Sequence, residues 1–524
     1  MNNRNYNIYF HTHTVSGIVI SVVLFVIFFA GSFSFFKSEI NNWERGETVA
    51  IHKKEQINYD TTFDSINKNY TLAGRDVSLS VSPHERRVFI RMEGTKDTVA
   101  ANKLKDTLEV AKLKSGHYFY LNTKNFKAQT YDESYSIGEF LYRLHFLAQV
   151  PYPVGYYLSG FVALFFLFAI ITGVLLHWNK IVSNFYIFRP KEKLKTLWTD
   201  AHTALGMIGL PFQFVYAVTG AFFMIKLLIV APSVMALYKG DQNKLYSDLE
   251  YNNPEFKFEN KKLATPFSIN EFVEKTKSSW KDFEITEVQI QNYGDTNMHI
   301  IVDGKIPHDK KFTAFGKIIY KVADGKIIAK KNPETDNKYL DGVKNVLYRV
   351  HFGDYGGYAL KIISFVLGII TCFVIISGVM IWLVARDKKN MPEKKRRFNN
   401  SVVRIYLAVC LSMYPVTAFI FIANKVFYPL SRANIYSVYF ITWLLLTIFF
   451  LLKKDINFTN KWCLISGSIL GFLIPIANGI CTGNWFWKTF VNDQIQIFFI
   501  DIFWIVLAAI TLYVSFKLKK VKSE

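Results

Sequence analysis

Two five-residue stretches carry the densest side-chain chemistry in this chain: Tyr142-Arg143-Leu144-His145-Phe146 and Tyr348-Arg349-Val350-His351-Phe352. Each leads into an apolar run, one closing on Ile171-Thr172-Gly173-Val174 and the other on Ile376-Ser377-Gly378-Val379, at offsets of 206 and 205. Upstream, His13, Gly17 and Gly31 match His202, Gly206 and Gly220 at a single offset of 189. Such fixed spacing is the mark of a duplicated structural unit. Imidazole is a ligand of haem iron, and an apolar helical bundle holds a macrocycle between facing helices. The duplication relates His13 to His202 and His145 to His351, so a pseudo-twofold axis sets the members of each pair face to face. Two pairs suit two six-coordinate b-type haems. The competing reading is of interfacial side chains whose polar tips reach water.

Cysteine offers no other route to metal chemistry. The four cysteines, Cys372, Cys410, Cys463 and Cys481, lie in or beside apolar runs, and neither C-x-x-C nor C-x-x-C-H occurs. A disulfide framework, covalent c-type haem, iron–sulfur ligation and cysteine zinc sites are thereby excluded. There is no P-loop and no well-placed G-x-G-x-x-G, so electrons crossing this protein come from a quinol or a protein donor.

The elements that must position these histidines are membrane helices. Of 524 residues, 51% are hydrophobic and 17% aromatic, which excludes an ordinary cytosolic globule. Runs of the roughly 20 residues needed to cross a bilayer occur near 14–36, 154–178, 203–229, 358–384, 402–424, 434–452, 462–480 and 495–516. The fold class is therefore a polytopic α-helical membrane protein of about eight spans. The net charge of +21 is not a nucleic-acid footprint: residues 37–144 hold 17 Lys+Arg against 15 Asp+Glu, and residues 231–350 hold 19 against 17. The surplus lies in short runs beside the spans. With the N-terminus inside, the short inner segments carry 21 Lys+Arg against three in the short outer loops, which places both termini in the cytoplasm and both polar blocks outside.

The organisation read from these boundaries is a first span to residue 36, an outer α+β domain over 37–150, and spans two and three with a basic loop over 151–229. A second outer domain over 230–356, a fourth span over 357–385, a basic loop over 386–401 and four further spans over 402–524 follow. Ala30 and Ser32 make a passable cleavage site after the first run, but that run matches the third span, so it reads as a retained helix. Hairpins are expected at Tyr118–Thr130 and Ile318–Lys330, the latter turning at Asp324-Gly325.

Gly17 and Gly206 fall one turn beyond His13 and His202 on the same helix face, where a missing Cβ lets a porphyrin approach the backbone or simply lets helices pack closely. His177 has no counterpart in the second copy, where Trp382 stands near that place; it is a candidate to replace an inner ligand or to move protons. Arg143 and Arg349, two residues before the outer histidines, are candidates for haem propionates or for interfacial anchoring. His11 lies about 200° around the helix from His13, so at most one of them faces the bundle. His52, His84, His117, His299 and His308 read as surface residues, and Asp501, inside the last span, has no partner that can be named from the sequence.

The duplicated His-x-x-x-Gly span, the outer domain and the Tyr-Arg-x-His-Phe entry together resemble the PepSY-associated transmembrane helix family over residues 8–385. Its members include iron-regulated inner-membrane proteins and di-haem ferric-siderophore reductases. The resemblance implies PepSY-like periplasmic domains, haem b (two) in the bundle, and a ferric siderophore or other ferric chelate as electron acceptor in the periplasm of a bacterium. It transfers His13, His202, His145 and His351 as haem-iron ligands, with His177 beside them, and implies oxidoreductase activity in the inner membrane. Two readings stand against it: a non-catalytic membrane protein binding a peptide or partner, and a transporter of iron, haem or siderophore. The four spans after residue 402 lie outside the resemblance.

Overall fold

The structure is a computed structural model and describes residues 2–47, 57–82, 85–97, 107–178, 189, 194–249, 253–387 and 390–518. His52 and His84 fall outside the described residues. The chain divides into two compact units. One comprises residues 1–46, 136–232 and 350–524; the other comprises residues 47–135 and 233–349.

The first unit is helical. Among the described residues eight helices are long and apolar enough to cross a membrane, and they match the eight runs read from the sequence. In chain order α1 spans Asn3–Ser34 and α2 Lys37–Arg45, α3 (Tyr59–Tyr70) and α4 (Thr107–Lys114) belong to the second unit, and α5 (Ile137–His145) and α6 (Val154–His177) return to the first. Helix α7 (Leu194–Tyr238) breaks at Ile225, where φ is −116° and ψ 18°. Helices α8 (Gln242–Asp248) and α9 (Ile269–Lys277) lie in the second unit; α10 (Tyr339–Phe352) leads from it into α11 (Gly357–Arg386). The bundle is completed by α12 (Glu393–Val426), α13 (Arg432–Lys453), α14 (Ile456–Thr482), the short α15 (Phe486–Val491) and α16 (Ile495–Lys517).

Helix α1 packs along both α6 and α11, which is why it carries buried Ile20, Leu24, Phe25, Phe28, Phe29 and Phe33. Two glycines of α14 mark close packing against its neighbours. A Cβ on Gly467 would meet the ring of Tyr414, and one on Gly471 would sit 3.0 Å from Ala508 Cβ. The absence of side chains there lets helices approach closely.

Among its described residues the second unit is built on one antiparallel sheet of eight strands in the order β4-β3-β2-β1-β5-β6-β7-β8. The first polar block supplies β1 (Val77–Val81), β2 (Arg87–Met92), β3 (His117–Asn122) and β4 (Ala128–Thr130); the second supplies β5 (Glu284–Gln291), β6 (His299–Lys305), β7 (Phe315–Lys321) and β8 (Ile327–Lys331). Both expected hairpins are present, as β3–β4 and β7–β8. The two blocks do not end as separate domains. Strand β1 pairs with β5 in the register Val77↔Ile290 to Ser80↔Glu287, so each copy covers the edge strand that the other would leave exposed. One core crosses this seam, joining Leu79, Val88 and Ile90 to Val288, Ile300 and Ile318 under Phe63 of α3 and Val273 of α9.

Candidate functional site: two histidine pairs in the helical bundle

The rings of His13 on α1 and His202 on α7 lie 6.2 Å apart between centroids. Those of His145, the last residue of α5, and His351 on α10 lie 6.1 Å apart. Two imidazoles trans on one metal, with metal–nitrogen bonds of about 2 Å and roughly 1 Å more to each ring centre, have centroids about 6 Å apart. Both pairs sit at the separation a single bis-histidine metal requires.

The other nitrogen of each ring is tied down. His13 Nδ1 donates to the carbonyl of Ala169 on α6 at 2.8 Å, and His202 Nδ1 lies 2.9 Å from the carbonyl of Val374 and 3.0 Å from Ser377 Oγ on α11. Ala169 and Val374 are related by the same offset of 205 as Gly173 and Gly378. His145 Nδ1 donates to the Ile27 carbonyl of α1 at 2.8 Å. His351 Nδ1 meets Thr219 Oγ1 at 2.7 Å; because that hydroxyl donates to the Val215 carbonyl at 2.6 Å, its oxygen accepts from the ring. A carbonyl accepts only, so the proton sits on Nδ1 and the Nε2 lone pair is left for a metal. This is the outer-sphere arrangement that fixes tautomer and orientation in metal-ligating histidines.

Glycines make the room. A Cβ on Gly31 would lie 2.5 Å from His145 Nδ1, and Cβ atoms on Gly173 and Gly378 would lie 3.1 and 3.3 Å from the Cε1 atoms of His13 and His202. The glycines of the Ile-Thr-Gly-Val and Ile-Ser-Gly-Val motifs therefore seat the imidazoles. Gly17 and Gly206, one turn beyond His13 and His202, face open space, with nothing within 4 Å of an added Cβ. Rings at single-metal spacing, free Nε2 positions and an open glycine-lined cradle fit a bis-histidine macrocycle. Among the described residues no group of three or more His, Cys, Asp or Glu is placed to hold a metal ion.

This architecture is the one whose sequence profile recurs elsewhere: the PepSY-associated TM region matches residues 10–385. The chain belongs to that family. As a member of it, the chain is a multi-pass membrane protein with PepSY-like α+β strands, and both histidine pairs fall within the matched region. A comparison with curated proteins finds no match.

Of the remaining candidates, His177 at the end of α6 lies within electrostatic range of both His13 and His202. His11 is exposed and its ring packs edge-on against Phe10, which leaves His13 as the α1 residue facing the bundle. Arg143 Nε donates to Glu139 Oε1 at 2.8 Å, and Glu139 also pairs with Lys37 at 2.5 Å. Its guanidinium is thus anchored by a carboxylate of its own helix. Arg349 lies two residues before His351 on α10. Two histidines read as surface residues are not: His299 and His308 are buried, His299 stacked on Phe256 at 3.5 Å between centroids. Alternation along β6 puts His299 on the face opposite Ile300 and Val302, and Phe256 covers it there.

The sequence reading did not find the acceptors of the Nδ1 protons. Three of the four are backbone carbonyls, which have no side-chain signature, and Thr219 stands where the first copy has Ala30. Ser377 was visible only as part of the repeated motif.

Proposed function

We propose that the protein is a di-haem b electron carrier of the bacterial inner membrane that reduces ferric iron, held by a siderophore or another chelate, on the periplasmic side. The observation carrying this reading is the pair of histidine pairs at single-metal spacing, each ring anchored through Nδ1 and each pair formed from the two copies of a duplicated unit. When bound, haem b supplies a one-electron Fe(III)/Fe(II) couple.

The chain's residues do the rest. Ala169, Val374, Ile27 and Thr219 hold the imidazoles in one tautomer and raise the basicity of Nε2. Gly17 and Gly206 leave the backbone approachable. Around the second site Tyr216 and Phe223 pack on His351 at 5.0 Å between centroids, and Tyr216 Oη donates to the His351 carbonyl at 2.8 Å; this aromatic wall keeps water from the ring. On α1, His13 and the Ile27 carbonyl that anchors His145 are 14 residues apart, about 21 Å of helix. Against roughly 30 Å of hydrocarbon, that separation supports a reading with one site toward each face of a bilayer. The overall reaction takes one electron from a quinol or protein donor and adds it to chelated Fe(III), giving Fe(II), which the hard oxygen donors of siderophores hold far less tightly.

The test is a reduced-minus-oxidised visible spectrum with a pyridine haemochrome assay on the purified protein and on His13→Ala and His351→Ala. Two b haems per chain, with one lost in each variant, are expected. Folded protein without haem, expressed with adequate haem, would sink the reading and favour transport or partner binding.

A further inference from the structure

Helices α12, α13, α14 and α16 lie beyond the family match and hold none of the four paired histidines. They nevertheless close on one of them. Asp501 of α16, fully buried, accepts from Trp43 Nε1 of α2 at 2.8 Å and from Asn478 Nδ2 of α14 at 3.0 Å. Lys425, in the last turn of α12, donates to the carbonyls of Trp43 at 2.5 Å and Glu44 at 3.2 Å, and lies 4.2 Å from the centre of the Trp43 ring. Trp43 and Glu44 end α2, so a cation caps the negative pole of that helix. Gln496 Oε1 accepts from Asn42 at 2.5 Å.

Helix α2 passes the constraint to α5. Asn41 Oδ1 accepts from Ser136 Oγ at 2.6 Å, and Glu44 Oε2 accepts from the Ile137 amide at 2.7 Å. Gly138 lies so close to the Lys37 carbonyl and Asn41 that a Cβ would clash. From another side Phe140 of α5 inserts among Tyr436, Tyr439 and Phe440 of α13, at 5.6, 4.7 and 5.9 Å between centroids. Helix α5 has nine residues and ends in His145. A helix that short does not hold its own geometry and takes it from what it packs on. The second copy lacks this support: Val346, at the position matching Phe140, is 43% exposed.

We propose that the four C-terminal spans are a positioning clamp for His145, acting through Trp43 on α2 and Phe140 on α5. Asp501, Lys425 and Asn478 are its positioning residues. The clamp makes the His145 site depend on a segment outside the duplicated unit. The inference rests on the reading of His145 as a haem ligand.

The experiment uses the full chain carrying Phe140→Ala or Asp501→Leu, with Phe140→Leu as the large apolar rescue. Amide hydrogen exchange is followed in peptides from α5 and α10, and haem is counted beside the spectral signature of His145→Ala. The expected result is exchange about tenfold faster in α5 with α10 unchanged. With it should come haem retention weakened about tenfold or more at the site lost in His145→Ala, restored by Phe140→Leu. Unchanged α5 exchange, or equal loss at both sites, would overturn the clamp. If Asp501→Leu does not accumulate, Trp43→Phe removes the same hydrogen bond, keeps an aromatic ring, and is judged by the same two outcomes. A wild-type protein without haem would count against the proposed function, whereas the exchange comparison reads the clamp alone.

Discussion

Each of the four paired histidines has its Nδ1 held by a residue of another helix. In three of them a main-chain carbonyl takes the Nδ1 proton, and no side-chain substitution removes that partner. His351 is the exception, because its anchor is a hydroxyl. Thr219→Val is nearly isosteric, yet it deletes the acceptor and faces Nδ1 with a methyl group. The tautomer of His351 is then no longer fixed. Loss of an outer-sphere partner costs about 10- to 100-fold in affinity at a metal site, so Thr219→Val should retain haem poorly at the His145–His351 site while Thr219→Ser should behave as wild type. Haem titration of apoprotein, followed by the Soret band, measures this. Equal affinity of the valine and serine variants would show that the hydroxyl does not orient the ring.

At the scale of elements, the eight-stranded sheet carries a row of charge across its seam. Ser80, Glu287, Asp303 and Lys317 are successive cross-strand partners on β1, β5, β6 and β7. Burial pushes the carboxyls of Glu287 and Asp303 upward, and for Glu287 the facing Asp303 adds to it. Lys317, 3.3 Å from Asp303, works against both shifts. A carboxyl whose pKa is raised by folding binds its proton more tightly in the folded state, so the sheet loses stability as pH rises from the ordinary Glu value of 4.5 through the raised one. Glu287→Gln removes the titration and keeps the shape. It should raise the thermal midpoint at neutral pH and flatten its fall as pH rises above the ordinary Glu value of 4.5; an unchanged pH profile would show that the row does not govern the seam. The hairpins of this sheet were legible because Asp324-Gly325 between alternating apolar residues specifies a turn locally. The β1–β5 pairing was not, because it joins residues 77–80 to 287–290, and nothing local in either strand names its partner. The two blocks therefore read as two domains.

For the whole molecule, hydropathy locates all eight spans, since each must by itself be apolar enough to cross, and the duplication alone pairs the histidines. Asp501 shows the limit of that reading. Its partners Trp43 and Asn478 come from α2 and α14, and a contact between segments so far apart leaves no pattern in either. Orientation is the remaining whole-molecule property, and one native side chain reports it. Cys372, Cys410 and Cys463 are buried, whereas Cys481 at the end of α14 is exposed. Cys481 lies close to Gly483 and Asn484, and a Cβ on Gly46 at the end of α2 would lie 3.5 Å from Asn484 Nδ2. It thus marks the end of the bundle at which α2 closes. On the proposed function, the Lys+Arg-rich short segments at the opposite end face the cytoplasm. A membrane-impermeant maleimide added to intact spheroplasts should therefore label the wild-type protein and fail to label Cys481→Ser. Labelling that appears only after lysis would reverse the orientation. It would set the sheet and the His145–His351 site in the cytoplasm, and the acceptor could no longer be a periplasmic ferric chelate.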